Sequence, residues 1–174
     1  MNFPILSSLI LLPTTGALFI LLSKSKDQSN YQSSKYVALF VSFANFFISL
    51  YLWYIFDPNI TDFQFVENRL LISGFINYKV GIDGISILFI VLSTLITPLC
   101  IVSVNKSVNT KLKEFLIAIL LMESLMIGVF CSIDLVIFYL FFEGGLVPMF
   151  LICLLYTSDA ADEGLGVDLG GRRI

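Results

Sequence analysis

"EFLIAILLMESLMIGVFCSIDLVIFYLFFEGGLVPMFLI" occupies Glu114 to Ile152. After the leading glutamate its only charges are Glu123, Asp134 and Glu143. A bilayer core is about 30 Å thick and takes roughly 20 apolar residues in a helix. The stretch is long enough for two crossings, with "SID" as the turn between them. We read one helix over about Glu114–Cys131 and a second from near Asp134 to about Leu155. So short a turn makes them antiparallel.

Outward from this pair, three more stretches reach crossing length: Phe3–Leu22, Tyr36–Phe56 and Ile85–Val104. The second ends in an aromatic cluster that suits the membrane interface. The first has no basic residue before Lys24. It therefore reads as a retained helix rather than a signal peptide. The composition agrees with five crossings. The chain is 57% hydrophobic and 13% charged, with a mean hydropathy of +0.94, whereas a soluble domain is about a quarter charged. The sequence predicts an all-α integral membrane protein of five transmembrane helices. Pro13, Pro98 and Pro148 fall inside spans and predict bends, which neighbours or water can satisfy.

Net charge is −3 without a basic block, which argues against nucleic acid as a partner. Histidine is absent, and so is the usual haem and metal ligand. Cys100, Cys131 and Cys153 have no paired spacing, so they read as small hydrophobes, not as a disulfide or cluster framework. Any chemistry falls to carboxylates, lysines and backbone.

The loops set the orientation. Lys24, Lys26 and Lys35 oppose only Asp27 in the first, and Lys106, Lys111 and Lys113 precede Glu114 in the third. The second carries Arg69 and Lys79 against Asp57, Asp62, Glu67 and Asp83. Positive charge marks the cytoplasmic or matrix side, so the N-terminus is expected on the other side. The second loop, "DPNITDFQFVENRLLISGFINYKVGIDG", is too polar to span. Its alternation around Phe63–Ile72 suggests a short extended or amphipathic surface element.

Charge inside a membrane is costly and rare. Glu123 lies near the middle of the fourth span, and Glu143 lies nine residues past Asp134, about 13 Å into the fifth at 1.5 Å per residue. Counted from the turn, the two acids have nearly equal depth. Desolvation favours the neutral form of a carboxylate, and a group poised between charged and neutral is what a proton relay needs. Beside Glu143, Gly144 and Gly145 thin the helix, and Pro148 removes the hydrogen bond to the Gly144 carbonyl. That leaves a loosened, hydratable place. Packing glue between helices is the competing reading, with equal standing at Glu123. Asp134 and Asp83 sit at outer ends of spans, where capping and solvation account for them.

"YKVGIDGISILFIVLSTLITPLCI" (78–101) together with "MIGVFCSIDLVIFYLFFEGGLVPMFLI" (126–152) closely resembles the chain 4 family of respiratory complex I, called subunit M in bacteria. The likeness covers about Met1–Ile152. The aspartate nine residues before a glutamate, followed by "PMFLI", is its most specific part. "FEGGL" has an alphaproteobacterial look, and a mitochondrial origin remains open. The resemblance implies an incomplete antiporter-like bundle in the membrane arm of the proton-pumping NADH–quinone oxidoreductase. It implies other membrane-arm subunits and the lipid bilayer as partners. It also implies residence in a bacterial inner membrane with a periplasmic N-terminus, or in the mitochondrial inner membrane. It implies no redox centre here: NADH, FMN, iron–sulfur clusters and quinone belong to other subunits. Glu143 matches the family's functional acid, which pairs with a lysine on a later helix that this chain lacks. A subunit of a multisubunit cation/proton antiporter and a non-catalytic membrane scaffold are the alternatives.

At Cys153 the likeness stops. "CLLYTSDAADE" resembles the translation of a transposase-type sequencing adapter, so residues 153–174 are expected to be an artefactual tail on the family-like part, 1–152. "EGLGVDLGG" lacks the Lys-Ser/Thr and the strand–helix setting of a phosphate loop.

Overall fold

The computed structural model describes residues 4–23, 28–72, 76–104 and 112–164. It contains α1 (Ile5–Leu22), α2 (Gln28–Ile55), β1 (Gln64–Ile72), β2 (Ile76–Ile82), α3 (Gly84–Ser103), α4 (Leu112–Cys131) and α5 (Leu135–Gly164). All five helices include a stretch long and apolar enough to cross a membrane, Gln32–Ile55 within α2 and Leu135–Leu155 within α5. In lipid a helix is the open-chain form that satisfies every backbone polar group internally, so apolar runs of this length fold as helices. α5 continues past Cys153 to Gly164, and residues 165–174 lie outside the described residues.

One part is not helical. β1 and β2 form an antiparallel hairpin, paired from Gln64↔Ile82 to Ile72↔Ile76. The extended element expected near Phe63–Ile72 is β1. Its partner, "INYKVGI", alternates in the same way: Asn77 and Lys79 are exposed, while Val80 and Ile82 are fully covered by the bundle's core. A register shift between Gln64 and Glu67 contains Phe65 at φ 52°, a left-handed bulge that bends the strand.

The hairpin gathers one end of the bundle. β1 reaches α1 through Glu67, and the Ile133 amide at the α4–α5 turn donates to the Lys79 carbonyl of β2 at 3.0 Å. Gly81 lies under Ile133, where an added Cβ would come within 2.7 Å of its Cδ1. β2 leads directly into α3, and the Asp57 amide after α2 donates to Gln64 at 3.1 Å.

Elsewhere the polar contacts join helices in twos. Between α1 and α4, the Ser124 hydroxyl donates to the Ile10 carbonyl at 2.5 Å and meets Thr14 at 2.7 Å. At the end away from the hairpin, Lys113 donates to the Leu21 and Ser23 carbonyls. Between α2 and α3, Ser49 meets Thr94 at 2.7 Å, and Lys35 donates to the Val104 carbonyl at 3.0 Å. α1 with α4 and α2 with α3 then meet through an apolar core that includes Ala17, Ala38, Ile101 and Leu116. α5 packs on α4 and turns most of its side chains outward.

Lys24, Lys26, Lys106 and Lys111, basic residues of the first and third loops, lie outside the described residues. Pro13, Pro98 and Pro148 each sit within a continuous helix. The cysteines are free, with Cys131 buried, Cys100 half-buried and Cys153 exposed.

Candidate functional site

α4 carries Glu123 into the interior, where it is 3% exposed. Its partner comes from α2: the Asn45 side-chain amide donates to Glu123 Oε1 at 2.9 Å. Asn45 is fully buried. Two atoms of this pair, Asn45 Oδ1 and Glu123 Oε2, are buried without a hydrogen-bond partner. In α1, α3 and the α2 stretch facing Glu123, the sequence carries no lysine or arginine, and Lys35 and Lys113 at helix ends are engaged with carbonyls.

Glu143 is placed differently. It lies on the exposed face of α5, where its carboxylate interacts with the Tyr139 hydroxyl one turn earlier. The two acids do not meet. α5 approaches α4 along Phe141 and Gly144: a Cβ on Gly128 would fall 2.6 Å from the Phe141 ring, and one on Gly144 would fall 3.2 Å from Leu125. Leu125 and Gly128 are about 200° and 140° around α4 from Glu123, at 3.6 residues per turn. The same contacts set Glu143 level with Met126. Glu123 is thus three residues deeper (126 − 123), about 4.5 Å along the axis.

The helix around Glu143 is not interrupted: α5 runs through Gly144, Gly145 and Pro148. Proline removes one hydrogen bond, but its φ is compatible with helical backbone. Gly144 serves close packing on Leu125, whereas the space beside Gly145 is open.

The outer-end acids are caps. Asp83 accepts from the Ser86 amide at 2.7 Å, and this bond is the main cause holding its carboxyl below the usual range. Asp134 accepts from the Val136 and Ile137 amides at 2.9 and 3.3 Å. Such caps satisfy amides left open at a helix start.

A second polar cluster was not singled out in the sequence. Glu67 accepts from the Leu6 amide at 2.9 Å, from the Ser7 amide at 3.3 Å and from the Ser7 hydroxyl. The Tyr78 hydroxyl lies 3.2 Å from that of Ser7. Burial, with Glu67 adding to it, pushes the Tyr78 phenol above its ordinary value against the opposing Ser7 bond. A cavity of about 500 Å³ runs from here between α1, α4 and α5, lined by Ser7, Thr14, Arg69, Tyr78, Ser124 and Phe141 among others. Neither Glu123 nor Glu143 lines it. Among the described residues, no group of three or more His, Cys, Asp or Glu side chains is placed to hold a metal.

No family model matches the chain. Curated relatives do. It is 47% identical over 149 residues to an NADH-quinone oxidoreductase subunit M of Rhodobacter capsulatus, covering 85% of this chain and 29% of that protein. It is 45% identical over 154 residues to an NADH-ubiquinone oxidoreductase chain 4 of Marchantia polymorpha, covering 88% and 30%. It is 39% identical over 160 residues to subunit M of Rickettsia prowazekii, covering 91% and 33%. The chain thus spans about a third of the length of the curated relatives it matches.

Proposed function

This chain belongs to the family of NADH-quinone oxidoreductase subunit M and NADH-ubiquinone oxidoreductase chain 4, and from that premise we propose that it works in the membrane arm of the proton-pumping oxidoreductase. In this reading it takes part in moving protons while electrons pass from NADH to quinone. The electron carriers sit in other subunits. The observation that carries the reading is the likeness over nearly the whole chain, together with two carboxylates inside candidate spans.

Glu143 has the placement for a shared site. A carboxylate on the outward face of α5 needs a neighbour from beyond these helices, because an unpaired charge at this depth is costly. A lysine on a further helix of the full-length protein supplies that neighbour in our reading. Making and breaking the ion pair would hold and release a proton. Asp134 and Asp83 order the starts of α5 and α3. Gly144 lets α5 approach α4.

The charge distribution supports an orientation. Lys35 and Lys113 mark the cytoplasmic or matrix end, while the hairpin, Asp83 and Asp134 mark the opposite, proton-rich end. The N-terminus lies on that same opposite side. The setting is a bacterial inner membrane or its mitochondrial counterpart, with the bilayer and other membrane-arm subunits as partners. We further take 1–152 as the family-like unit and 153–174 as foreign sequence. A long read of the source DNA across the Ile152 codon decides this.

Glu143→Gln in the full-length protein, within the assembled complex, tests the function. The rate of NADH-driven proton pumping is expected to fall by about ten-fold or more, since a positioned proton-transfer group contributes roughly 10²- to 10⁴-fold to rate. Normal oxidation with normal pumping overturns the assignment in favour of a scaffold.

A further inference from the structure

The Asn45–Glu123 pair is short of one hydrogen. With Glu123 ionised, the pair offers three acceptor oxygens and a single amide group as donor. One oxygen, Glu123 Oε1, takes the amide at 2.9 Å. The other two, Asn45 Oδ1 and Glu123 Oε2, are left buried and unpartnered. Each orphan of this kind is destabilising, and more so when charged. A proton on Oε2 changes the count. It removes the charge, turns one acceptor into a donor, and makes the acid complementary to the amide, which has an acceptor to spare.

The surroundings offer no other compensation. Ser124, next along α4, spends its hydroxyl on the Ile10 carbonyl. Ser49 and Thr94, one turn along α2 and across on α3, are engaged with each other. Glu143 faces outward on α5, and Glu67, Tyr78, Lys79 and Arg69 belong to the hairpin. Lys35 and Lys113 sit at helix ends on carbonyl oxygens. A cation is a poorer fit than a proton, because calcium or magnesium takes six or more oxygens and this pair leaves two.

We infer that Asn45 and Glu123 form a proton-holding site in which Glu123 carries its proton when α2 and α4 are packed as here, with Asn45 as the positioning residue. The inference rests on the proton-translocation reading for its use, but the site stands on its geometry alone. It deepens the role of Glu123 from a buried acid to a place where one proton is stored between two helices.

Infrared spectroscopy on the assembled complex containing the full-length protein tests it. The wild type minus Glu123→Gln difference is expected to show the carbonyl band of a protonated carboxylic acid. Glutamine keeps the shape and supplies the missing donor, so the variant is expected to assemble. Asn45→Leu, or Asn45→Thr where the leucine variant does not assemble, shifts the band towards that of an unbonded acid. A difference spectrum with no protonated-acid band overturns the proposal, as does a band indifferent to Asn45 or a Glu123→Gln complex that fails to assemble. The band reports the site whether or not the complex pumps. Its absence is therefore distinguishable from failure of the translocation reading, which the pumping of Glu143→Gln decides.

Discussion

Glu67 accepts hydrogen bonds from both the amide and the hydroxyl of Ser7, 60 residues away in sequence. α1 begins after Pro4 with no side-chain cap of its own. The hairpin provides one from a distance, and its negative charge also suits the helix N-terminus. Glu67→Ala is expected to destabilise the full-length protein by about 1–3 kcal/mol, the range for orphaned buried donors. Denaturant unfolding measures this, and limited proteolysis should show the hairpin cut faster. Wild-type protection in the variant would show that Glu67 does not tie the hairpin to the start of α1.

Gly128 and Phe141 give a packing test. Valine at 128 would place atoms inside the Phe141 ring's space, and overpacking of this kind costs about 1–3 kcal/mol. Gly145 has open space beside it. There alanine is expected to stabilise by about 0.5–1 kcal/mol through helix propensity. Unfolding of the two variants side by side checks the contrast.

Asp83 gives a pH test. Its folded carboxyl lies below the ordinary value because it accepts from Ser86. A depressed acid contributes stability that is present above its unfolded pKa, about 3.9. That stability is lost as pH falls through the lower folded value. Asp83→Asn keeps a capping oxygen but no charge, so its stability should lose this acid-side dependence. Asp83→Ala should cost about 0.5–2 kcal/mol at neutral pH. Unfolding between pH 2 and 7 (a range set by that roughly 3.9 reference) reads both.

The two buried-span acids should separate by variant. In the 174-residue chain, where α5 presents Glu143 on an exposed face, Glu143→Ala is expected to alter stability by no more than about 0.5 kcal/mol. Glu123→Ala strands the Asn45 amide and is expected to cost about 1–3 kcal/mol. Equal effects would contradict the placement of one inside and the other outside the packed helices.

The five helices were legible because crossing a bilayer demands long apolar runs, a signal that needs no tertiary information. Glu123 and Glu143 stood out for the same reason, as charge against that background. Rotation about each axis was not legible. α5 is apolar nearly all round, so nothing in its pattern says that Phe141 and Gly144 face α4 while Glu143 faces away. Asn45 was missed because one amide in "SFANFFIS" looks like a tolerated polar residue until α2 is placed against α4. β2 was missed although "INYKVGI" alternates, because so short a run, with Gly81 inside it and Gly84 just after, reads as loop until its pairing with β1 is seen. Glu67 read as loop charge because its partner amides are 60 residues distant.

Fastened by the hairpin at one end, and at the other by polar contacts that join helices in twos over a shared apolar core, the bundle has the layout of a fork with its two prongs packed together. α1 with α4 makes one prong and α2 with α3 the second. The prongs are packed closely on one another: a Cβ on Gly16 of α1 would fall 2.8 Å from Val41 of α2. Among the described hydrogen bonds between spans, Asn45 to Glu123 is the one that bridges the prongs. Spreading the tines would strip the acid of its amide, and closing them would restore it. Parting the two helix pairs at mid-span and breaking the described hydrogen bond of Glu123 would thus be one event.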